Sequence, residues 1–224
     1  MARTRFQTGE YYHIFNRGVD KRLIFHDDKD RHRFVHDLYE FNDRDAVMNI
    51  LRRTEGGEAS FSGEKKRRKL LVDIVAWVFM PNHFHLILRQ RTEGGISAFM
   101  HKLGTGYTLY FNNRHERSGV LFQGTFKSKH VHEDRYIRQL LGYLHANPVE
   151  LFRTNVRSSF RQYRWSSYLD YCGKKNIPSL LNENLISDLG LPRGVGHSQF
   201  VEEWINKRAP RVSVLGDLVI DIEN

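Results

Sequence analysis

Two histidines flank a phenylalanine at His83-Phe84-His85, directly after a Pro81-Asn82 dipeptide that is typical of a tight turn. The run 83–88 reads HFHLIL and predicts a strand, in which alternate side chains point to the same face. Both imidazoles therefore lie on one side of the strand, while Phe84 points into the core. Two neutral imidazoles on a rigid strand can chelate a divalent cation and leave positions open for substrate oxygens.

The spacing alone does not identify a metal site, because His130-Val131-His132 repeats it. This second pair precedes the acidic residues Glu133 and Asp134, a predicted helix start, where exposure is expected. His32 and His36 are four residues apart on a predicted helix, but they lack the Glu of a His-Glu-x-x-His zinc motif and lie among charges. The pair at His83 and His85 is therefore the stronger metal candidate.

A tyrosine on the predicted helix 134–146 is the second candidate for chemistry. At about 100° per residue, Tyr143 and Asn147 are neighbours one turn apart on the border of the apolar stripe. A tyrosine in that position is often only a core-edge residue. A phenol facing a bound cation is also a competent nucleophile toward a phosphate, and an Asn oxygen can complete the coordination of a hard metal ion. Both interpretations are open at this point.

The charge of the chain favours a polyanionic partner. Its 35 Lys and Arg against 26 Asp and Glu give a net charge of +9, which favours nucleic acid before a membrane surface. Lys127 and Lys129 share one face of a predicted strand, and Arg138 follows on the next helix, so the three can track a phosphate backbone. No transmembrane run or secretory signal is found, and the single Cys172 fits a reducing cytosol.

The elements that position these residues form an α+β pattern. Strands at 11–15, 70–80, 83–88 and 120–130, with helices starting at Asp27 or Asp28 and covering 95–114 and 134–146, predict a mainly antiparallel sheet with helices on one face. We expect a catalytic domain over 1–155, with a mobile basic loop at 52–69. A C-terminal extension of unknown role follows at 156–224, with two short helices between 180 and 206.

The run MPNHFHLIL at 80–88 resembles the HUH motif of single-tyrosine transposases of the insertion-sequence type. The chain resembles more closely their relatives, the REP-associated tyrosine transposases. The likeness covers roughly residues 10–172 and includes further motifs in order: YYHIFNRG at 11–18, SGVLFQGTFKSK at 118–129, YLHANPVE at 143–150 and WSSY at 165–168.

The resemblance implies a ferredoxin-like sheet of the HUH endonuclease type, with Mg²⁺ or Mn²⁺ as cofactor. It implies that His83, His85 and Asn147 hold the ion and that Tyr143 is the nucleophile, with Tyr136 as the alternative. The implied substrate is single-stranded DNA with hairpins. The expected DNA-binding residues are Asn16 and Arg17, where a short flanking sequence would be read, and Lys127, Lys129 and Arg138, which would position the strand.

The implied function is cleavage and rejoining of DNA at palindromic hairpin sites through a 5′-phosphotyrosine link, in a bacterial cytoplasm at the nucleoid. Three alternatives compete with it: a nickase of the replication-initiator or relaxase kind, a domesticated protein that binds hairpins without cleavage, and a plain single-strand RNA or DNA binding module. The Tyr143-to-Asn147 spacing argues against the nickase. The sequence leaves monomer and homodimer equally open.

Overall fold

The structure of the protein is a computed structural model, and it describes residues 5–45, 68–152 and 160–207. Four strands form one sheet in the order β2-β3-β1-β4, and every neighbouring pair is antiparallel. The strands are β1 Tyr11–Arg17, β2 Val72–Met80, β3 His83–Gln90 and β4 Lys127–Val131. The mainly antiparallel sheet expected from the sequence is confirmed.

Six α-helices lie within the described ranges. They are α1 Asp28–Glu40, α2 Gly95–Arg114, α3 Asp134–Ala146, α4 Tyr168–Tyr171, α5 Glu183–Asp188 and α6 Gly194–Asn206. Short 3-10 turns occupy Val19–Lys21, Asn147–Leu151 and Pro178–Leu180. Helix α1 begins where predicted, because the Asp27 carboxylate accepts hydrogen bonds from the backbone N–H groups of Lys29 and Asp30.

The centre of the molecule is the β2–β3 hairpin. All nine residues of β2 are buried, which explains its nearly continuous apolar sequence. Pro81 and Asn82 form the turn, and the register pairs Met80 with His83 and Val78 with His85. The hairpin thus places both histidines on β3, an inner strand of the sheet that pairs with β2 and β1.

The helices cover both faces of the sheet. On one face, the Phe84 ring lies 5.1 Å from the ring of Phe34 on α1. On the opposite face, the His85 ring lies 5.6 Å from the ring of Tyr143 on α3. The expectation of helices on one face is therefore wrong in this respect. A strand as apolar as β2 needs cover on both sides, and α3 supplies it on the histidine side.

The described residues after 160 pack onto the edge of β2 and onto α3. The Ser167 backbone N–H donates to the Trp77 carbonyl at 2.9 Å, and Phe79 donates to Trp165 at 2.9 Å. Helix α6 packs against α3 through the buried Trp204. The two short helices expected after residue 180 are α5 and α6. The division into 1–155 and 156–224 falls at residues outside the described ranges and stays a prediction.

Two other expectations concern irregular segments. Strand β4 begins only at Lys127 rather than at residue 120, and Gly119 and Gly124, with φ values of 83° and 79°, interrupt extended pairing before it. The loop expected at 52–69 lies outside the described residues except for its last two positions. In the part of the chain that the structure describes, no helix has both the length and the apolar character needed to cross a membrane.

Candidate active site

The β2–β3 turn orients the first histidine. The Nδ1–H of His83 donates to the Asn82 side-chain oxygen at 2.7 Å. In the neutral ring this leaves Nε2 unprotonated, with a lone pair for a ligand bond. Burial, together with the positive charge of Arg17, lowers the pKa of His83 to about 4, although hydrogen bonding to Asn147 opposes the shift. His83 is only half-buried by exposed area. It is therefore a neutral imidazole at physiological pH that is still open on one side.

The second histidine is held from behind by another imidazole. His85 is 2% exposed, and its Nδ1 lies 2.9 Å from Nε2 of His13 on β1. Burial, with the neighbouring His13 and His83, holds the pKa of His85 well below its usual range. The sequence reasoning missed His13. Its position two residues before Phe15, which pairs with His85 in the register of β1 and β3, is the signal that would have found it.

The donor set fits a divalent cation. Within the described ranges, the buried Nε2 of His85 has no hydrogen-bond partner. When the Nδ1–H of His85 donates to His13, this Nε2 carries a lone pair, as does the Nε2 of His83. An imidazole backed by a second hydrogen-bonding group is the usual arrangement of a metal-binding histidine. A buried nitrogen without a hydrogen-bond partner destabilises the folded protein. A bound cation would supply the missing partner.

Helix α3 brings Tyr143 to the histidines. Its ring meets those of His85 and His13 edge-on, at centroid distances of 5.6 Å and 6.4 Å. Tyr143 is 1% exposed, so in this conformation its phenol lies at the buried end of the site. Tyr136, the alternative nucleophile, lies two turns earlier and is stacked with Arg135 at 4.8 Å. The structure thus brings Tyr143, rather than Tyr136, into ring contact with His85.

Asn147 lies one turn beyond Tyr143, at the start of the 3-10 turn Asn147–Leu151. It is 1% exposed, and its side chain lies beside His83. Its Nδ2 has no partner among the residues described, so the amide is not fully satisfied by the protein. The Pro148 that follows has no backbone N–H, so the α-helical hydrogen bonding ends here. Asn147 is therefore placed beside both His83 and the helix end, as a third ligand requires.

Three of the expected DNA-binding residues share the histidine face. In an antiparallel sheet, directly paired residues point to the same side. Arg17 pairs with His83, and Phe15 pairs with both His85 and Lys127. The Lys127 ammonium lies 5.8 Å from the Phe15 ring. Lys129 is two residues further along β4 and faces the same way. Of these cations, Arg17 lies at the open, His83 end of the site, Lys127 is level with His85, and Lys129 is level with His13.

The other two expected DNA-binding residues lie elsewhere. Asn16 points to the opposite face of the sheet, where its amide donates to the Gly124 carbonyl at 3.3 Å. Arg138 lies on the exposed side of α3, with its guanidinium 5.7 Å from the ring of Phe200 on α6. Neither side chain is brought to the histidines. Each has a local structural contact instead.

Another cluster of possible metal ligands combines His26, Asp30 and His115. The Asp30 carboxylate already accepts hydrogen bonds from the His26 backbone, Arg114 and Tyr110, in addition to His115. The guanidinium of Arg114 sits directly on this carboxylate and would repel a cation. The cluster is therefore a hydrogen-bonded network that ties α1 to the end of α2.

The arrangement has the form that the HUH resemblance implies. Paired histidines on a central antiparallel strand face a tyrosine of the helix that crosses the sheet after β4, with a polar side chain one turn later. The α+β architecture and this placement define an HUH-type fold with a single tyrosine at the histidine pair.

Comparison with known families agrees. A family model described as "Transposase IS200 like" matches residues 59–147. The matched range contains the histidine pair, Tyr143 and Asn147. This part of the chain matches the IS200-like transposase family, and the expected resemblance to single-tyrosine HUH transposases is confirmed.

Among solved structures, the fold is similar to that of a REP-associated tyrosine transposase bound to a REP hairpin, with a TM-score of 0.51. The two chains are 14% identical, and the similarity covers 81% of this chain and 90% of the other. At this level of identity, the comparison concerns the fold. No curated protein matches the chain in sequence.

Proposed function

We propose that the protein is a metal-dependent single-stranded DNA endonuclease and transposase that cleaves and rejoins DNA at hairpin sites. The observation that carries the proposal is the convergence of Tyr143 with His83, His85 and Asn147 on one face of the sheet. The similar fold was solved with a REP hairpin, which supports a DNA hairpin as the partner here. With DNA as the substrate, the protein would act at the bacterial nucleoid.

His83, His85 and Asn147 would hold one Mg²⁺ or Mn²⁺ ion. When bound, such an ion supplies polarisation of the scissile phosphate and stabilises negative charge on the leaving oxygen. Asn82 and His13 orient the two imidazoles, so that neither ring has to reorganise to bind the ion. The depressed pKa values keep both rings neutral, which a ligand requires.

Tyr143 would carry the covalent step. Its phenolic oxygen attacks the scissile phosphorus, the phenolic proton passes to water, and the bond from phosphorus to the 3′ oxygen breaks. That oxygen takes up a proton and leaves as a free 3′-hydroxyl, while the 5′ phosphate stays on the tyrosine. The phosphotyrosine keeps the energy of the diester, so attack by another 3′-hydroxyl reverses the step without a nucleotide cofactor.

The DNA strand would enter at the His83 end, because His85, Tyr143 and Asn147 are buried. Arg17, Lys127 and Lys129 would bind the phosphates on either side of the scissile position. Asn16 and Arg138 would contact only DNA that extends beyond the site.

A second candidate function is binding of DNA hairpins without cleavage. The observation that favours it is the burial of Tyr143, since a phenol that is 1% exposed reaches a phosphate only after a local movement. A domesticated binder would need the basic face but not the phenol. The two candidates therefore differ in one measurable property, the covalent adduct.

The test incubates the full chain with a single-stranded hairpin DNA labelled at its 3′ end, with Mn²⁺, Mg²⁺ or EDTA, and runs a denaturing gel. The proposal predicts a metal-dependent band of protein-linked label. Tyr143→Phe removes only the hydroxyl and should abolish the band, whereas the matched control Tyr136→Phe should keep it. A parallel sample labelled at the 5′ end should release a shortened strand with a free 3′-hydroxyl.

The contrary outcomes are distinct. An adduct that survives Tyr143→Phe and disappears in Tyr136→Phe assigns the nucleophile to Tyr136. Tight hairpin binding that needs no metal and yields no adduct in any sample replaces the transposase proposal with the binding protein.

A further inference from the structure

Helix α3 is packed from behind by α6 at the position next to the nucleophile. A Cβ atom added to Gly142 would lie 2.3 Å from Cδ1 and 2.8 Å from Cγ of Trp204, closer than real contacts allow. Trp204 is fully buried, and its ring lies 6.0 Å from that of Tyr143. The indole therefore occupies space that any larger residue at 142 would need, and it lies beside the ring of Tyr143.

A buried chain of hydrogen bonds fixes the same two helices to the sheet. His145 on α3 bonds His197 on α6 through Nδ1 at 2.8 Å and the Ser167 hydroxyl through Nε2 at 2.7 Å. That hydroxyl accepts from the backbone N–H of Trp77 on β2 at 3.0 Å. These hydrogen bonds connect the residues in the order of a Ser-His-His triad. All three side chains are at most 1% exposed, so no substrate reaches them. It acts as a structural strut.

We infer that α6 positions the nucleophile, with Trp204 as the positioning residue behind Tyr143. The inference rests on the proposed function and assigns a role to the C-terminal region. Trp204 sets how closely α3 approaches α6 at Gly142, and the strut at His145 sets the position of the next half-turn of α3. Tyr143 lies between these two points, so its reach toward the histidine pair is fixed on both sides.

Gly142→Ala is the sharpest test, because it adds one methyl group against the indole and leaves every polar group in place. At saturating hairpin DNA, the rate of adduct formation should fall by roughly 10²-fold, the loss that a displacement of about 1 Å causes at a reacting group. The DNA concentration for half-maximal rate and the affinity for Mn²⁺ should stay within twofold of wild type, about the scatter of such measurements.

Four further variants separate positioning from stability. Met100→Ala removes a buried side chain on the opposite face of the sheet and controls for destabilisation alone. Trp204→Phe keeps a ring and should retain most of the rate that Trp204→Ala loses. In the Trp204→Ala background, Gly142→Ala should cause no further loss, because the contact it disturbs is already gone.

The outcomes divide clearly. A folded Gly142→Ala protein with the wild-type rate, a faster rate, or a loss equal to that of Met100→Ala overturns the inference. If wild type forms no adduct, the proposed function fails, and hydrogen exchange then decides whether α6 holds α3. Amides 140–146 should exchange faster in Gly142→Ala than in Met100→Ala; equal protection in the two variants overturns the inference on its own.

Discussion

Two histidine pairs of identical spacing lie on the same sheet in different surroundings. His85 is buried and His83 half-buried on the central strand β3, and burial lowers the pKa of both. His130, near the end of the outer strand β4, bonds Glu10 through Nε2 at 2.9 Å and stacks on Tyr12. His132 is exposed and contacts the ring of His130 at 4.0 Å.

The proposed metal role of the first pair therefore depends on the hydrogen-bond partner of each nitrogen rather than on the spacing of the histidines. In the first pair, Asn82 and His13 bond the Nδ1 atoms, so the Nε2 atoms are the nitrogens left for the proposed ion. In the second, the carboxylate of Glu10 already occupies the nitrogen that would bind a metal. Strand β4 also points His130 to the face opposite the histidine site, since it pairs with Tyr12.

The largest expected effect is the loss of metal binding when the first pair is broken. His85→Ala should weaken Mn²⁺ affinity by more than the roughly 10–100-fold that loss of a supporting hydrogen bond costs a metal site. His132→Ala removes one histidine of the second pair, which has the same spacing, and should leave the Mn²⁺ affinity unchanged. Isothermal titration of the full chain with Mn²⁺ measures both. Equal losses from the two variants would remove the distinction between the pairs.

Loss of the hydrogen-bond partner should weaken Mn²⁺ affinity in the first histidine pair but not in the second. His13→Phe keeps the ring packing but leaves the buried Nδ1 of His85 without its partner, so Mn²⁺ affinity should fall roughly 10–100-fold. Glu10→Ala removes the corresponding partner of His130 and should have no effect on Mn²⁺ affinity. The same titration compares them. A wild-type affinity in His13→Phe would show that the imidazole behind His85 does not orient it.

Much of this fold is predictable from local patterns. Helices α2 and α3 occupy 95–114 and 134–146, the ranges predicted from apolar spacing. Asp27 caps α1 because its short carboxylate reaches the first free N–H groups of the helix. The first half of the predicted strand 120–130 is irregular, because Gly124 adopts a left-handed conformation that β-propensity does not register.

The site is predictable only in part. The shared direction of His83 and His85 follows from strand alternation, and the stacking of Tyr143 on Asn147 follows from helical spacing. His13 lies 72 residues from His85 in sequence, and Trp204 is also far from Gly142 along the chain. Such contacts depend on strand register and on how α6 docks, which no local pattern specifies.

A third pair of histidines, His145 and His197, is as deeply buried as His85. Burial lowers the pKa of His197 to about 3; hydrogen bonding to the Pro192 carbonyl opposes the shift. The titratable and charged groups around His197 are His145 on α3, Tyr168 and Tyr171 on α4, and Arg193 at the start of α6.

These surroundings predict a pH dependence of stability. Below an unfolded pKa of about 6.5, the unfolded chain binds a proton at this histidine that the folded protein does not bind. The free energy of unfolding therefore decreases as the pH is lowered, until the pH reaches the folded pKa of His197 at about 3. Between about pH 5.5 and 4.5, His197→Asn should lose about 1.4 kcal/mol less unfolding free energy than wild type. Urea unfolding at each pH measures this. Phe200→Leu, a neighbour that does not titrate, should retain the wild-type slope; a shared slope in all three proteins would contradict the prediction.

The smallest expected effect concerns the cations of β4, which alternate with the second histidine pair along the strand. Lys127 and Lys129 point to the histidine face while His130 points away, so only the lysines should contact the DNA phosphates. Each of Lys127→Gln and Lys129→Gln should weaken hairpin binding a few-fold and reduce the salt slope of the binding constant by about 0.7. Arg138→Gln removes the same charge on the far side of α3 and is the matched control. Fluorescence anisotropy over a range of KCl concentrations distinguishes them, because a nonspecific effect of net charge would change all three slopes alike.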